Sequence, residues 1–374
     1  MKLKRKDFVK GLAAGTLALP LALRACLGKP EAQSTLSGPG IISGQKYQWK
    51  MVTTWPPGFP VIGDACQLFA DIVKAMSGGR MEIKVYGGGE LVPALETFDA
   101  VGKGIAEVGS GSGYYWAGKV PAAQFFSAVP FGMNAQQLNA WILCGGGLAL
   151  WEELYSDFNL IPMVGGNTGV QMGGWFNKEI NSVADLKGLK MRIPGLGGKV
   201  LQKAGGSPVL LAGGEIYTSL ELGVIDATEW LSPFHDYAMG FYEIAKYYYA
   251  PGWHETGTAL ELIFNKRMFE DLPTDLQAIM RSAAQHSNIW LLSQMETKNA
   301  ETLGLLRQKN IVFKQFPQDV IDQFKKLTVE VIDQMVSNDP KSQKIYASYN
   351  EFRKKAFNWA QLSEKAYYDK LEVG

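Results

Sequence analysis

An α/β fold divided between two lobes is what this sequence predicts, and three observations carry that expectation. The chain has 374 residues and a mass of 41.1 kDa, with 47% hydrophobic and 20% charged residues, enough to enclose more than one packed core. Short alternating runs are followed by glycine-rich turns and then by helical spacing, the succession that builds α/β units. The order of elements also changes near Gly165 and again near Leu260, where an apolar strand reads as a return to the first lobe.

The first segment is an address. Lys2, Lys4, Arg5, Lys6 and Lys10 precede Gly11–Leu23, a run without charge that is too short for an ordinary membrane span. Residues 1–25 therefore read as an export signal; an amphipathic helix of the mature fold would need a stripe of period 3.6, which is absent. Arg5-Lys6-Asp7-Phe8-Val9-Lys10 resembles the twin-arginine export motif with lysine in place of its second arginine. Leu23-Arg24-Ala25-Cys26 has the outline of a lipoprotein box, with ordinary cleavage near Ala32 as the competing reading. The full chain carries 37 basic and 36 acidic residues, net +1, which excludes a nucleic-acid-coating protein. Removing 1–25 turns that balance into a mildly acidic one. Residues 26–46, rich in Gly, Pro, Ser and Gln, read as a flexible lead or tether.

The fold starts at Tyr47. Strands are expected at 47–55, 81–86, 105–109 and 160–164, with helices at 63–76 and 94–103 and one long helix between Asn134 and Phe158. The second lobe, 167–259, takes strands at 170–176, 190–193 and 208–211 and a helix at 214–222. Residues 47–166 and 260–336 make the discontinuous first lobe, including a long helix over 273–309, an edge strand at 311–316 and a helix over 317–336. In 337–374, Ile345, Tyr349, Phe352, Ala356, Trp359 and Leu362 recur at intervals of three and four, so one face of this helix must cover its own chain or a partner. Cys66 and Cys144 lie in no metal-ligand pattern; two buried free thiols are favoured over a disulfide.

Catalytic signatures are missing. There is no GxxxxGK[ST], HExxH, CxxCH or GxSxG run, and only His235, His254 and His286 are available for imidazole chemistry. His235 reads as a cap or packed polar residue, and His254, between Trp253 and Glu255, as a possible pocket contact. The sharper feature is Arg192, set between Met191 and Ile193 and followed by Pro194-Gly195. A buried guanidinium needs a partner, either an internal carboxylate or that of a ligand, whose two oxygens match its fork. Asp226 and Glu229 lie in an apolar run, where Asp226 reads as holding the turn. Glu229 either pairs with a base or joins the Gln171 amide oxygen around a hard cation.

At these residues a family resemblance becomes specific. Trp55-Pro56, Gly89-Glu90-Leu91-Val92-Pro93, Tyr114-Tyr115-Trp116, Gly165-Gly166-Asn167 with Gln171, Lys190-Met191-Arg192, Gly223 to Trp230, and Tyr249 to Glu255 follow one another in family order. Over roughly 47–369 the chain resembles the extracytoplasmic solute receptors of TRAP transporters, the DctP-like family, and most closely their 2-oxo-acid and lactate-binding branch. The resemblance implies a two-lobed periplasmic-binding-protein-like fold with crossing segments and a long C-terminal helix that can be exchanged in a homodimer. It implies that Arg192 holds the substrate carboxylate and that Gln171, Glu229 and the backbone oxygen of Trp230 hold calcium or sodium. Asn167, Tyr114, Tyr115, Trp116, Trp55 and Glu255 complete the ligand surroundings, in a periplasmic protein that delivers a small organic-acid anion to membrane permease subunits. A 2-oxo monocarboxylate such as pyruvate leads, before a 2-hydroxy acid such as lactate, an amino acid or another carboxylate. The competing classes are a secreted metal-dependent enzyme and a structural envelope protein in which Arg192 is an internal ion-pair member.

Overall fold

The computed structural model describes residues 44–371. The export signal, Cys26 and all but the last three residues of the 26–46 lead lie outside the described residues. Among the described residues no helix is long and apolar enough to cross a membrane.

The strands in chain order are β1 (Tyr47–Thr53), β2 (Met81–Tyr86), β3 (Val108–Gly111), β4 (Leu160–Asn167), β5 (Gly174–Phe176), β6 (Lys190–Arg192), β7 (Ser207–Val209), β8 (Ala227–Thr228), β9 (Tyr247–Ala250), β10 (Ala259–Asn265) and β11 (Val312–Gln315). They form two sheets, β2-β1-β3-β10-β4 and β11-β9-β5-β8-β6-β7. In the first, β1 runs parallel to β2 and β3, while β10 runs antiparallel to β3 and β4. The helix Ile62–Met76 makes the crossover from β1 to β2; it buries Ile62, Ala65, Cys66, Phe69, Ala70 and Val73, a stripe of helical period. Both β10 and β4, the strand at the sheet's edge, are buried throughout, as strands covered on both faces are.

The chain crosses between sheets three times. It leaves the first at the end of β4, returns between β9 and β10, and after the long helix Thr274–Leu306 enters the second again as β11, parallel to β9. The strand expected at 311–316 therefore belongs to the second sheet, and the 260–336 segment serves both lobes rather than the first alone. Its exposed alternation made it legible as an edge strand, but nothing local shows which edge it joins. The first two crossings are laced together: Thr168 N donates to Thr258 O at 3.0 Å, Gln171 N to Glu255 O at 3.1 Å and Gly252 N to Gln171 O at 3.0 Å.

Other expectations need local correction. The helix expected over 134–158 is two, Ala135–Cys144 and Gly147–Ser156, broken at Gly146 whose φ of 90° suits glycine. The strand expected at 170–176 is confined to Gly174–Phe176, because the preceding residues form the crossing. Strands β8 and β9 were not expected. Cys66 and Cys144 are both free, Cys66 buried but Cys144 exposed at a helix end. The C-terminal helix runs over Pro340–Leu362 and breaks at Ser363 before Glu364–Lys370. Its first half covers its own chain, with Ile345 and Tyr349 buried and Tyr349 Oη accepting from Met133 N at 3.1 Å. Beyond it, Trp359 is 64% and Leu362 77% exposed.

Candidate functional site

Strand pairing assembles the site. β6 lies parallel to β8 with Arg192 opposite Thr228, so the last residue of one short strand meets the residue just past the end of the other. There Arg192 and Glu229, each with a side chain 1% exposed, form an ion pair through Nη1 and Oε1. Nη1 also donates to Glu229 O at 3.3 Å, Nε to Leu211 O at 3.4 Å and Nη2 to Tyr115 Oη at 3.4 Å. The guanidinium lies 5.1 Å from the Trp230 ring, close enough for a cation–π contact. Burial is the largest single influence and works against the Arg192 cation, but the Glu229 carboxylate together with Tyr115 and Tyr114 outweighs it and holds the group above its ordinary pKa.

Tyr115 comes from the turn Gly113–Trp116 after β3, so its contact with Arg192 bridges the two sheets. Its ring stands edge-on to Tyr114 at 4.8 Å and 6.3 Å from Trp55, whose Nε1 donates to Ser110 Oγ at 3.1 Å. Burial pushes both tyrosine hydroxyls above their ordinary pKa, so they stay neutral donors. Trp116, expected in the same wall, instead donates through Nε1 to Glu261 and packs 5.4 Å from Phe98 behind Tyr115. In a turn with three residues per repeat, neighbouring side chains diverge by about 120°.

The crossings supply the oxygen donors. Gln171 Nε2 donates to Glu255 Oε2 at 2.8 Å and Thr168 Oγ1 at 3.1 Å, leaving its Oε1 buried without a partner. Thr258 also donates to Glu255 Oε2. Ligand atoms of Glu229, His254 and Glu255 all lie within 4.8 Å of one another, with His254 Nε2 3.4 Å from Glu229 Oε2. Burial, then the adjacent Glu229 charge, push the Glu255 carboxyl up to about 7. A free amide oxygen beside buried carboxylates is a donor set that fits a hard cation. Asn167 ends β4, its Oδ1 accepting from Gly169 N at 3.0 Å and its Nδ2 buried without a partner. Asp226 holds the turn as expected, accepting from Lys190 N at 3.1 Å and pairing with Lys178 at 3.1 Å.

The sequence underweighted His254. Its position beside Glu255 was the available signal, and its contact with Glu229 depends on the return crossing.

A buried cation, carboxylates and unpartnered amides gathered where two α/β lobes cross define a solute-binding protein. Residues 51–339 match the DctP family, bacterial extracellular solute-binding protein family 7, and the chain belongs to it. It is 41% identical over 320 residues, 86% of this chain and 88% of the relative, to a monocarboxylate 2-oxoacid-binding periplasmic protein of Nostoc sp. strain PCC 7120. A crystal structure of a TRAP periplasmic solute-binding protein from Colwellia psychrerythraea, with bound calcium and pyruvate, is similar at TM-score 0.85 and 42% identity, covering 87% of this chain and 99% of that one. Another, from Pseudoalteromonas atlantica T6c with bound sodium and pyruvate, is similar at TM-score 0.86 and 40% identity, covering 88% and 100%. The chain is thus an extracytoplasmic solute-binding protein and not an enzyme.

Proposed function

We propose that this chain captures a small 2-oxo monocarboxylate such as pyruvate outside the cytoplasm and delivers it to the membrane subunits of a TRAP transporter. The observation that carries this is the buried Arg192, whose fork reaches Tyr115 of the other sheet while its charge is balanced by Glu229. In this reading Arg192 takes the ligand carboxylate, and Tyr115 fixes the fork from the opposite lobe. Gln171, Glu229 and the Trp230 carbonyl hold calcium or sodium, with Glu255 orienting Gln171. The cation, when bound, supplies positive charge to the carboxylate and to the oxygen on the neighbouring carbon. Each charge-assisted hydrogen bond contributes about 1.5–3 kcal/mol, and roughly 8 kcal/mol is micromolar affinity, so a few such contacts suffice. Asn167, Trp55 and Tyr114 line the remainder. Relatives holding pyruvate with either cation support the ligand class.

Calorimetry on the mature protein tests this with pyruvate, lactate and alanine, each with and without chelator. Pyruvate should bind, chelator should weaken it, and Arg192→Ala should abolish it; undiminished binding by that variant overturns the clamp. A stronger response to lactate transfers the reading to 2-hydroxy acids. In the same proposal Cys26 is the lipid attachment point and Arg5-Lys6 directs twin-arginine export, which the mass and export dependence of the cell-made protein decide.

A further inference from the structure

The loop after β1 crosses to the other lobe. Trp55 ties it to β3 through Ser110, and Gly87 lies so close beneath it that a Cβ there would come 2.6 Å from Pro57 Cα. At its tip the Phe59 ring stands edge-on to Trp230 at 5.7 Å and 5.0 Å from the ring of His235. His235 Nε2 lies 3.0 Å from Pro60 O. A carbonyl only accepts, so Nε2 carries the hydrogen and Nδ1, buried without a partner, is bare. Burial pushes this imidazole down to about 4, consistent with a neutral ring.

His235 is as firmly held from the second sheet. Its helix, Pro233–Ala238, is anchored by Asp236, which accepts from Trp175 Nε1 of β5 at 3.0 Å and Tyr248 Oη of β9 at 2.7 Å. Next to Pro60, Val61 is buried at φ 61°, a positive φ unusual for a β-branched residue, with its N–H held by Asp64 at 2.8 Å. A strained residue kept in place on one side and an anchored helix on the other make a contact between two rigid parts. Its far end is the Trp230 ring, which also carries the Arg192 guanidinium.

We propose that Phe59 and His235 form a closure latch, the Phe59 ring seated against Trp230 and the His235 hydrogen bond to Pro60 holding the lobes together in the closed form. Neither side chain recognises the ligand; the latch sets how long the closed form lasts. This rests on the receptor reading only in the identity of the probe.

Stopped-flow tryptophan fluorescence with pyruvate and calcium measures the rates, and small-angle scattering of the free protein measures lobe opening. Phe59→Ala and His235→Leu should raise the dissociation rate about tenfold while the association rate stays within about threefold, and should enlarge the radius of gyration of the free protein. His235→Gln, which keeps a donor, should stay near wild type, and the milder Phe59→Leu should fall between if Phe59→Ala does not fold. Unchanged dissociation rates and scattering in the Phe59 and His235→Leu variants overturn the latch, as does a His235→Gln defect equal to that of His235→Leu. If wild type binds no pyruvate, the receptor reading fails, and the scattering comparison alone decides the latch.

Discussion

Arg192 and Glu229 are joined twice, the guanidinium Nη1 donating both to the Glu229 carboxylate and, at 3.3 Å, to its main-chain carbonyl. Removing only the cation strands a buried anion beside Glu255. Arg192→Met should therefore destabilise the free protein by about 3–5 kcal/mol in denaturant unfolding. Arg192→Met combined with Glu229→Gln should recover most of that loss, because both charges are gone. Neither protein should bind a 2-oxo acid, which separates the fork's role in binding from its role in folding.

Gln171 divides its amide between two tasks. Nε2 supports Glu255 and Thr168, while Oε1 has no partner in the protein. Gln171→Leu should abolish the rise in melting temperature that calcium produces in wild type. Its cost to the free protein should be about 1–3 kcal/mol, the penalty for Glu255 losing a buried donor. A calcium-dependent shift that survives in this variant removes Gln171 from the ligand set.

Arg192 was legible because a cation between Met191 and Ile193 has no apolar explanation, and the second lobe because strand patterning resumes past Gly165. Its pairing with Glu229 was not legible. The two lie 37 residues apart and meet through β8, a two-residue strand too short to show any period. His254 and Gln171 reach the site from separate crossings, and sequence spacing carries no record of crossings being laced by Thr168 and Thr258. The same limit misplaced β11, whose alternation identifies an edge but not a sheet.

A pH dependence comes from Glu261 of β10, buried between Trp116 Nε1 and Tyr155 Oη. Burial raises its carboxyl from an ordinary 4.5 to about 7, so the folded state holds a proton that the unfolded chain has released. The contribution to stability is fully present below about 4.5, is lost as pH rises to about 7, and is flat above. Glu261→Gln keeps an acceptor for Trp116 without the charge and presents an amide N–H to Tyr155 Oη where the carboxylate accepted from it. Relative to wild type it should gain on the order of 3 kcal/mol between those limits, at about 1.4 kcal/mol per pH unit. A constant difference between the two proteins across that window would rule out a raised Glu261.

The C-terminal helices leave large apolar side chains exposed. Trp359, Leu362, Tyr367, Tyr368 and Leu371 are 64%, 77%, 55%, 67% and 65% exposed, whereas Ile345 and Tyr349 earlier in the same region are buried. Apolar groups at this density on one terminus, beyond the half that packs on its own chain, fit coverage by a second copy better than exposure to water. The mature protein should therefore run as a homodimer in light scattering coupled to gel filtration. Trp359→Asp with Leu362→Asp should yield a monomer, since two desolvated carboxylates have no partners at such an interface. Melting of the first half should be little changed, because Tyr349 keeps its hydrogen bond to Met133 and its edge-on contact with Trp141 at 5.2 Å. A wild-type monomer at micromolar concentration would refute the dimer, and an unaltered dimer in the double variant would place its interface elsewhere.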